Sequence, residues 1–140
     1  MPPSETGLQG GMALAIKARD GMIRLKRFQV REKRRQVAQI EGMIAEFERM
    51  ARDLNDQVMA EQERSGIRDT SHFAYPTFAK AATQRRDNLL ASVEDLRGQL
   101  ASAVAECSEA EEELEKMEAL VERDQGRAPE TPPARAAGSG

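Results

Sequence analysis

The chain has few of the residues from which thick cores, disulfides and metal sites are built. Its 140 residues include no Trp, one Tyr and four Phe, and only 39% of them are apolar. The one cysteine, Cys107, has no partner for an internal disulfide, and the one histidine, His72, lies far from it in the sequence. Because structural zinc sites use about four Cys or His ligands, these two residues predict none. We therefore expect neither a large globular core nor a metal.

Motifs of catalysis are missing as well. The sequence contains no phosphate-cradling glycine loop and no nucleophile elbow. Its acidic run from Glu109 to Glu118 lacks the sharp glycine turn and the alternating oxygen ligands of a calcium loop. These observations predict a protein that is not an enzyme, with no catalytic residues, no cofactor and no small-molecule substrate.

Long hydrophobic runs are absent too. The longest apolar run near the N-terminus, Met12 to Ile16, is shorter than the roughly seven to fifteen residues of a signal-peptide core. No segment approaches the ~20 apolar residues that span a membrane. Together with the lone cysteine, which suits a reducing compartment, this pattern predicts a soluble cytoplasmic protein.

Proline and glycine are concentrated at the ends of the chain and near its middle. Their density predicts a disordered N-terminal extension over residues 1–15 and a disordered C-terminal tail over residues 126–140. Residues 16–125 are predicted to form an all-α fold, a long two-helix antiparallel coiled-coil hairpin. Its first helix covers about 17–65, its tip 66–75 and its second helix about 76–125, with Gly66 ending the first helix and Pro76 in the first turn of the second.

Apolar residues recur at steps of three and four in both predicted helices, which is the spacing of a coiled-coil seam. In the first helix the seam is Ile23, Val30, Val37, Ile40, Ile44, Phe47, Ala51, Leu54 and Val58. In the second helix it is Ala82, Leu89, Val93, Leu96, Leu100, Ala103, Cys107, Ala110, Leu114, Met117 and Val121, interrupted only by Arg86. Met22, Leu25, Met43 and Met50 are predicted to widen the stripe of the first helix.

Charge placement supports the same pairing. Residues 17–35 contain nine basic and two acidic side chains, and residues 106–124 contain nine acidic and two basic ones. Folding about a turn near residue 70 places residue i opposite roughly residue 141 − i, which brings the two blocks face to face. We expect the blocks to specify register and antiparallel orientation rather than to add much stability.

Two groups of residues are candidates for binding a partner protein. The first is the aromatic cluster of the tip, Phe73, Tyr75 and Phe78, which either closes the end of the seam or offers exposed anchors to a partner. The second is the basic block Arg24, Arg27, Arg31, Arg34 and Arg35, which either pairs with the acidic helix or attracts phosphates or another protein.

Several stretches resemble the flagellar export protein FliJ family, in particular its alphaproteobacterial branch. They are IKARDGMIRLKRF (residues 16–28), RRQVAQIEGMIAEFERM (34–50), the tip phrase SHFAYPTFAKAA (71–82) and QRRDNLLASVEDL (84–96). The resemblance covers roughly residues 16–124. The first fifteen residues depart from the pattern, which makes Met12 an alternative start, and the proline-rich tail is unmatched.

The resemblance implies a non-enzymatic stalk and adaptor of the flagellar type III export apparatus, cytoplasmic and peripherally associated with the inner membrane at the flagellar base. Its implied partners are the flagellar export ATPase, the cytoplasmic domain of the export gate and export chaperones, and no nucleic acid is expected. Two other functions remain open from the residues alone: a nucleic-acid-binding coiled coil that uses the basic part of the first helix, and a self-associating structural coiled coil.

Overall fold

A computed structural model describes residues 3–126, with side chains from residue 10 onward, and contains two long helices that pack against each other as a hairpin. Helix α1 is Pro3–Ser65 and helix α2 is Thr77–Asp124. The predicted all-α hairpin is thereby confirmed.

The chain divides into two units, each built from both helices. The loop unit is residues 35–104, which include the connection between α1 and α2. The terminal unit is the described part of residues 1–34 and 105–140. Every contact discussed below lies within one of these units.

Helix α1 begins at Pro3 and not near residue 17, so the prediction of a disordered extension over residues 1–15 is wrong from residue 3 onward. Pro3 suits a first helical position because proline has no N–H to leave unpaired there. A glycine in a helix interior costs only about 1 kcal/mol relative to alanine, so Gly10 and Gly11 weaken this segment without ending it. The predicted C-terminal tail lies outside the described residues except for Gly126.

The boundaries near the connection agree with the prediction. The N–H of Gly66 donates to the carbonyl of Gln62 at 2.8 Å, and the φ angle of Gly66 is +73°, a left-handed conformation that terminates α1. Pro76, predicted in the first turn of α2, lies immediately before it, and its carbonyl accepts the N–H of Lys80 at 3.1 Å. Gly126, two residues after the end of α2, is also left-handed with φ +77°, and its N–H donates to the carbonyl of Arg123 at 3.0 Å.

The predicted seam is confirmed, since each of its residues is buried or half-buried. Two apolar clusters lie in the loop unit, one around Val58 and Ala79 and the other around Ile40 and Leu96. In the terminal unit Ile23, Val30 and Cys107 are buried. A single strip of apolar residues, spaced by three and four positions, is enough to form this core because each helix packs against one other helix.

The predicted widening of the seam is wrong for three of its four residues. Met22, Leu25 and Met43 are exposed, and only Met50 is half-buried. A single partner helix covers a narrow strip of α1, so apolar side chains beside that strip stay in contact with solvent. This correction leaves α1 with apolar residues that α2 does not cover.

Candidate interaction surfaces

The connection between the helices is held by hydrogen bonds of its own. Oδ1 of Asp69 accepts the N–H of Ser71 at 3.0 Å and its hydroxyl at 2.7 Å, and these bonds hold the pKa of the Asp69 carboxyl below its ordinary value. The His72 carbonyl accepts the N–H of Tyr75 at 3.0 Å, and His72 Nδ1 accepts the N–H of Ala74 at 3.0 Å. The aromatic residues of the tip are therefore presented on a defined backbone.

Tyr75 belongs to the core of the loop unit and not to its surface. Its side chain is 8% exposed and packs in the cluster with Val58, Ala79 and Ala82. Its hydroxyl accepts a hydrogen bond from Nε2 of Gln62 at 3.0 Å. Tyr75 therefore closes the end of the seam and is removed from the candidate docking surface.

Phe73 and Phe78 are on the outside of the loop unit. Phe73 is 97% exposed, and its ring stacks on that of His72 with the ring centroids 4.8 Å apart. Phe78, in the first turn of α2, is 56% exposed. Each of the two alternatives for the aromatic cluster thus applies to different residues. Tyr75 closes the end of the seam, and the two phenylalanines are exposed and available to a partner.

The basic block of α1 pairs extensively with α2 in the terminal unit. Among the described residues of this unit, five ion pairs join the helices, and they are Arg19–Asp124, Lys26–Glu113, Arg27–Glu118, Lys33–Glu106 and Arg34–Glu111. In the last of these, the guanidinium approaches Oε2 of Glu111 at 2.7 and 2.8 Å and its pKa is raised by this contact. Lys26 lowers the pKa of Glu113 below its ordinary value.

These pairs confirm the register expected from the charge pattern. Each partner on α2 lies within four residues, about one helical turn, of the position that the rule 141 − i assigns to it. The pairing neutralises Arg27 and Arg34 of the candidate basic block, and Arg35 is also engaged within the chain. Phosphate binding by the whole block is disfavoured, because most of its charge already faces carboxylates.

Arg24 and Arg31 differ from the rest of the block. Among the residues that the structure describes, neither has an ion pair or side-chain hydrogen bond, and the same is true of Lys17. The three residues follow one another at intervals of seven in the sequence, so they lie on one side of α1. They form the uncompensated part of the basic block.

Sequence reasoning missed a polar contact inside the seam of the loop unit. Nη1 of Arg86 donates to Oδ1 of Asn55 at 2.6 Å, and Arg86 also pairs with the adjacent Asp87. The signal was present, since Arg86 interrupts the apolar rhythm of α2 and a polar residue at a seam position commonly finds a polar partner across the seam. A second unpredicted pair, Glu48–Arg97, joins the helices at 2.7 Å.

No cluster of three or more His, Cys, Asp or Glu side chains arranged to hold a metal ion occurs in the described part of the chain. Within the same residues no helix is both long and apolar enough to cross a membrane.

The fold and these surfaces define a two-helix hairpin with an ordered aromatic tip. Comparison of the chain with protein-family models, with curated proteins and with solved structures finds no match in any of the three.

Proposed function

We propose that the chain is a non-enzymatic stalk and adaptor of a flagellar type III export apparatus, which works by binding other proteins. In this proposal its partners are the export ATPase ring, the cytoplasmic domain of the export gate and export chaperones. It acts in the cytoplasm, peripherally associated with the inner membrane at the flagellar base. The flagellar placement depends on the resemblance of residues 16–124 to the FliJ family.

The exposed ring of Phe73 carries the protein-binding part of the proposal. An aromatic side chain that is 97% exposed gains nothing from the core, yet Phe73 lies on a loop ordered by hydrogen bonds that the side chains of Asp69 and His72 accept. Ordered aromatic side chains bind well because little conformational entropy is lost when they become covered. Phe78 adds a second exposed ring close by in the sequence.

A motility assay tests the flagellar placement. A strain that lacks the gene should lose swimming in soft agar, and the wild-type gene supplied in trans should restore it. Full motility of the deletion strain would remove the flagellar part of the proposal.

Variants of the tip test the binding part separately. Phe73→Ser together with Phe78→Ser should restore motility poorly and should weaken capture of at least one purified partner, the ATPase, the gate domain or a chaperone. Met59→Ser is the matched control, because Met59 is an exposed apolar residue of the same unit that belongs to α1 and not to the tip. Unchanged capture of all three partners by the Phe73 and Phe78 variant would exclude the tip as a docking surface.

A further inference from the structure

Helix α1 carries a second apolar stripe in the terminal unit, on the side that does not face α2. Its members are Leu14, Ala18, Gly21, Leu25 and Phe28. They are spaced by four, three, four and three residues, which is the spacing of a coiled-coil seam. The seam toward α2 uses other residues, Ile23 and Val30, which are buried.

The large side chains of this outer stripe are in contact with solvent. Leu14 is 69% exposed, Leu25 55% and Phe28 52%, and Met22, also exposed, lies beside the stripe. Isolated exposed apolar residues are ordinary, but a contiguous row at helical spacing marks a surface for another molecule. The outer stripe therefore has the pattern of a helix surface that binds a second helix.

The middle of the outer stripe is flat. Ala18 and Gly21 stand between Leu14 and Leu25, and a Cβ added at Gly21 would meet no atom within 4 Å, so the space above it is open. Small residues allow another helix to approach closely, while larger residues at the two ends supply the apolar contact. A lipid surface gains little from Ala and Gly, so this shape favours a helix over a membrane.

A row of basic residues borders the outer stripe on one side. Lys17, Arg24 and Arg31 each follow a stripe residue, Leu14, Gly21 and Phe28, by three positions, and residues three apart are neighbours on a helix surface. Within residues 17–35 they are the basic residues that have no ion pair among the described side chains, whereas Arg27 and Arg34 are paired with α2. Flanking charges of this kind select the partner of a coiled coil.

We propose that this outer stripe is a docking surface for an amphipathic helix of another protein that carries Asp or Glu along one edge of its apolar face. The docked helix would pack on α1, on the side opposite to α2, over residues 14–31, a length of about 27 Å at 1.5 Å per residue. Its carboxylates would lie beside Lys17, Arg24 and Arg31. This inference concerns a different surface from the tip and does not depend on the flagellar placement.

A second copy of this chain is a poor occupant of the stripe. Two copies joined antiparallel through the same stripe would bring Lys17, Arg24 and Arg31 of one copy close to those of the other, and like charges in contact are destabilising. In a parallel pair these basic residues would face Met22 and Gln29, which supply no opposite charge. The acidic block of α2 supplies the opposite charge, but five of its nine carboxylates already pair with α1 of the same chain. We therefore expect the chain alone to remain monomeric in sedimentation velocity.

Two designed peptides test the proposal with the full-length chain. Both are three-heptad helices with the same Leu and Ala seam, one with Glu and the other with Lys at the flanking positions. Fluorescence anisotropy in about 0.1 M salt measures their affinities. We expect the Glu peptide to bind at least about tenfold more tightly than the Lys peptide, since three facing charges change from attraction to repulsion.

Two variants of the chain locate the binding. Leu25→Ser with Phe28→Ser should weaken the Glu peptide by at least about tenfold through loss of apolar contact, and Arg24→Glu with Arg31→Glu should reverse the preference toward the Lys peptide. Met43→Ser and Arg52→Glu are matched controls on α1 in the loop unit, and each should change affinity by less than about twofold. All substituted residues are exposed, and circular dichroism checks that each variant keeps its helices.

Three results would overturn the proposal. The first is equal affinity for the two peptides, and the second is binding of the Glu peptide that the variants of the stripe leave unchanged. The third is a chain that binds neither peptide but does bind a DNA duplex, phosphatidylglycerol vesicles or a second copy of itself, provided that Arg24→Glu with Arg31→Glu abolishes this binding. That last pattern would assign the basic row to phosphates or to self-association.

Discussion

At the scale of single residues, the aromatic side chains of the tip have opposite surroundings although they are neighbours in the sequence. Tyr75 is buried against Val58 and Ala79, and Phe73 is almost fully exposed. Stability and binding should therefore respond to different residues. This separation makes the tip testable by paired substitutions.

Tyr75→Ala should lower the free energy of unfolding by about 3–5 kcal/mol, because it leaves a cavity in the apolar cluster of the loop unit. Tyr75→Phe should cost only about 1 kcal/mol, the usual net value of one hydrogen bond, since it removes the contact with Gln62 and keeps the ring. Phe73→Ala should change the free energy by less than about 0.5 kcal/mol. Urea denaturation followed by circular dichroism measures all three, and equal losses for Tyr75→Ala and Phe73→Ala would contradict the assignment.

The ion pairs between the helices predict a pH dependence with a definite sign. Lys26 holds the pKa of Glu113 below its ordinary value of 4.5 in the folded chain. A lowered carboxyl pKa adds stability that is fully present above the pKa of the unfolded chain and is lost as the pH falls through the folded pKa. The contribution of this pair therefore disappears in acid, below about pH 4.5.

Substitution of Lys26 separates this pair from the other charges. Lys26→Ala should raise the pKa of Glu113 toward its ordinary value, as measured by carbon-detected NMR titration of the carboxyl groups. Lys17→Ala removes the same charge from a residue without an ion pair in the described part of the chain and should leave the Glu113 titration where it was. A Glu113 pKa that is insensitive to Lys26→Ala would mean that the pair does not form in solution.

At the scale of elements, the end of α1 depends on the backbone conformation of a single glycine. Gly66 has φ +73°, a conformation that costs an L-residue with a Cβ about 1 kcal/mol. Gly42 lies in the interior of α1 on its exposed side, and a Cβ there would meet no atom within 4 Å. The same substitution should thus have opposite effects at the two positions.

Gly66→Ala should lower the free energy of unfolding by about 1 kcal/mol, and Gly42→Ala should raise it by about 0.5–1 kcal/mol because alanine is the better helix former. Thermal or urea denaturation of both variants measures the difference. Stabilisation by Gly66→Ala would show that α1 continues past Ser65 in solution.

The same elements explain how far the sequence predicts the fold. Apolar residues at three- and four-residue steps identify the seam from Ala82 onward in α2 and from Ile23 to Val58 in α1, because a hairpin of two helices buries one strip of each and little else. The prediction omits Ala79, which is fully buried one step before Ala82. Periodicity does not tell how many partners a helix has. For that reason the periodicity predicts that Leu25 widens the seam, whereas Leu25 is exposed and belongs to the outer stripe.

Two further details depend on features that local pattern does not contain. The start of α1 at Pro3 was missed because Gly10 and Gly11 lower helix propensity without preventing helix formation once the rest of α1 is in place. The burial of Tyr75 and exposure of Phe73 follow from the backbone path of the loop, which Asp69 and His72 set through hydrogen bonds to residues two positions further along.

At the scale of the whole molecule, the two units are stabilised by different interactions. In the loop unit, apolar clusters around Val58 and Ile40 join the helices. In the terminal unit, five ion pairs join them beside a thinner row of buried residues. Salt screens exposed ion pairs and leaves apolar burial intact, so the two units should respond differently to ionic strength.

Hydrogen exchange followed by mass spectrometry measures this difference in one sample. Between about 0.01 M and about 1 M NaCl the Debye length falls from roughly 30 Å to roughly 3 Å. We expect amides in residues 17–35 and 106–124 to exchange faster at high salt, while those near Val58 and Ala82 keep their protection, since opening of each region reports its own stability. Arg27→Ala with Arg34→Ala should reproduce the fast exchange of the terminal unit already at low salt. An equal increase in both units would mean instead that the chain opens as a single cooperative body. No change in either unit would mean that the charge blocks select the register of the hairpin without contributing measurably to its stability.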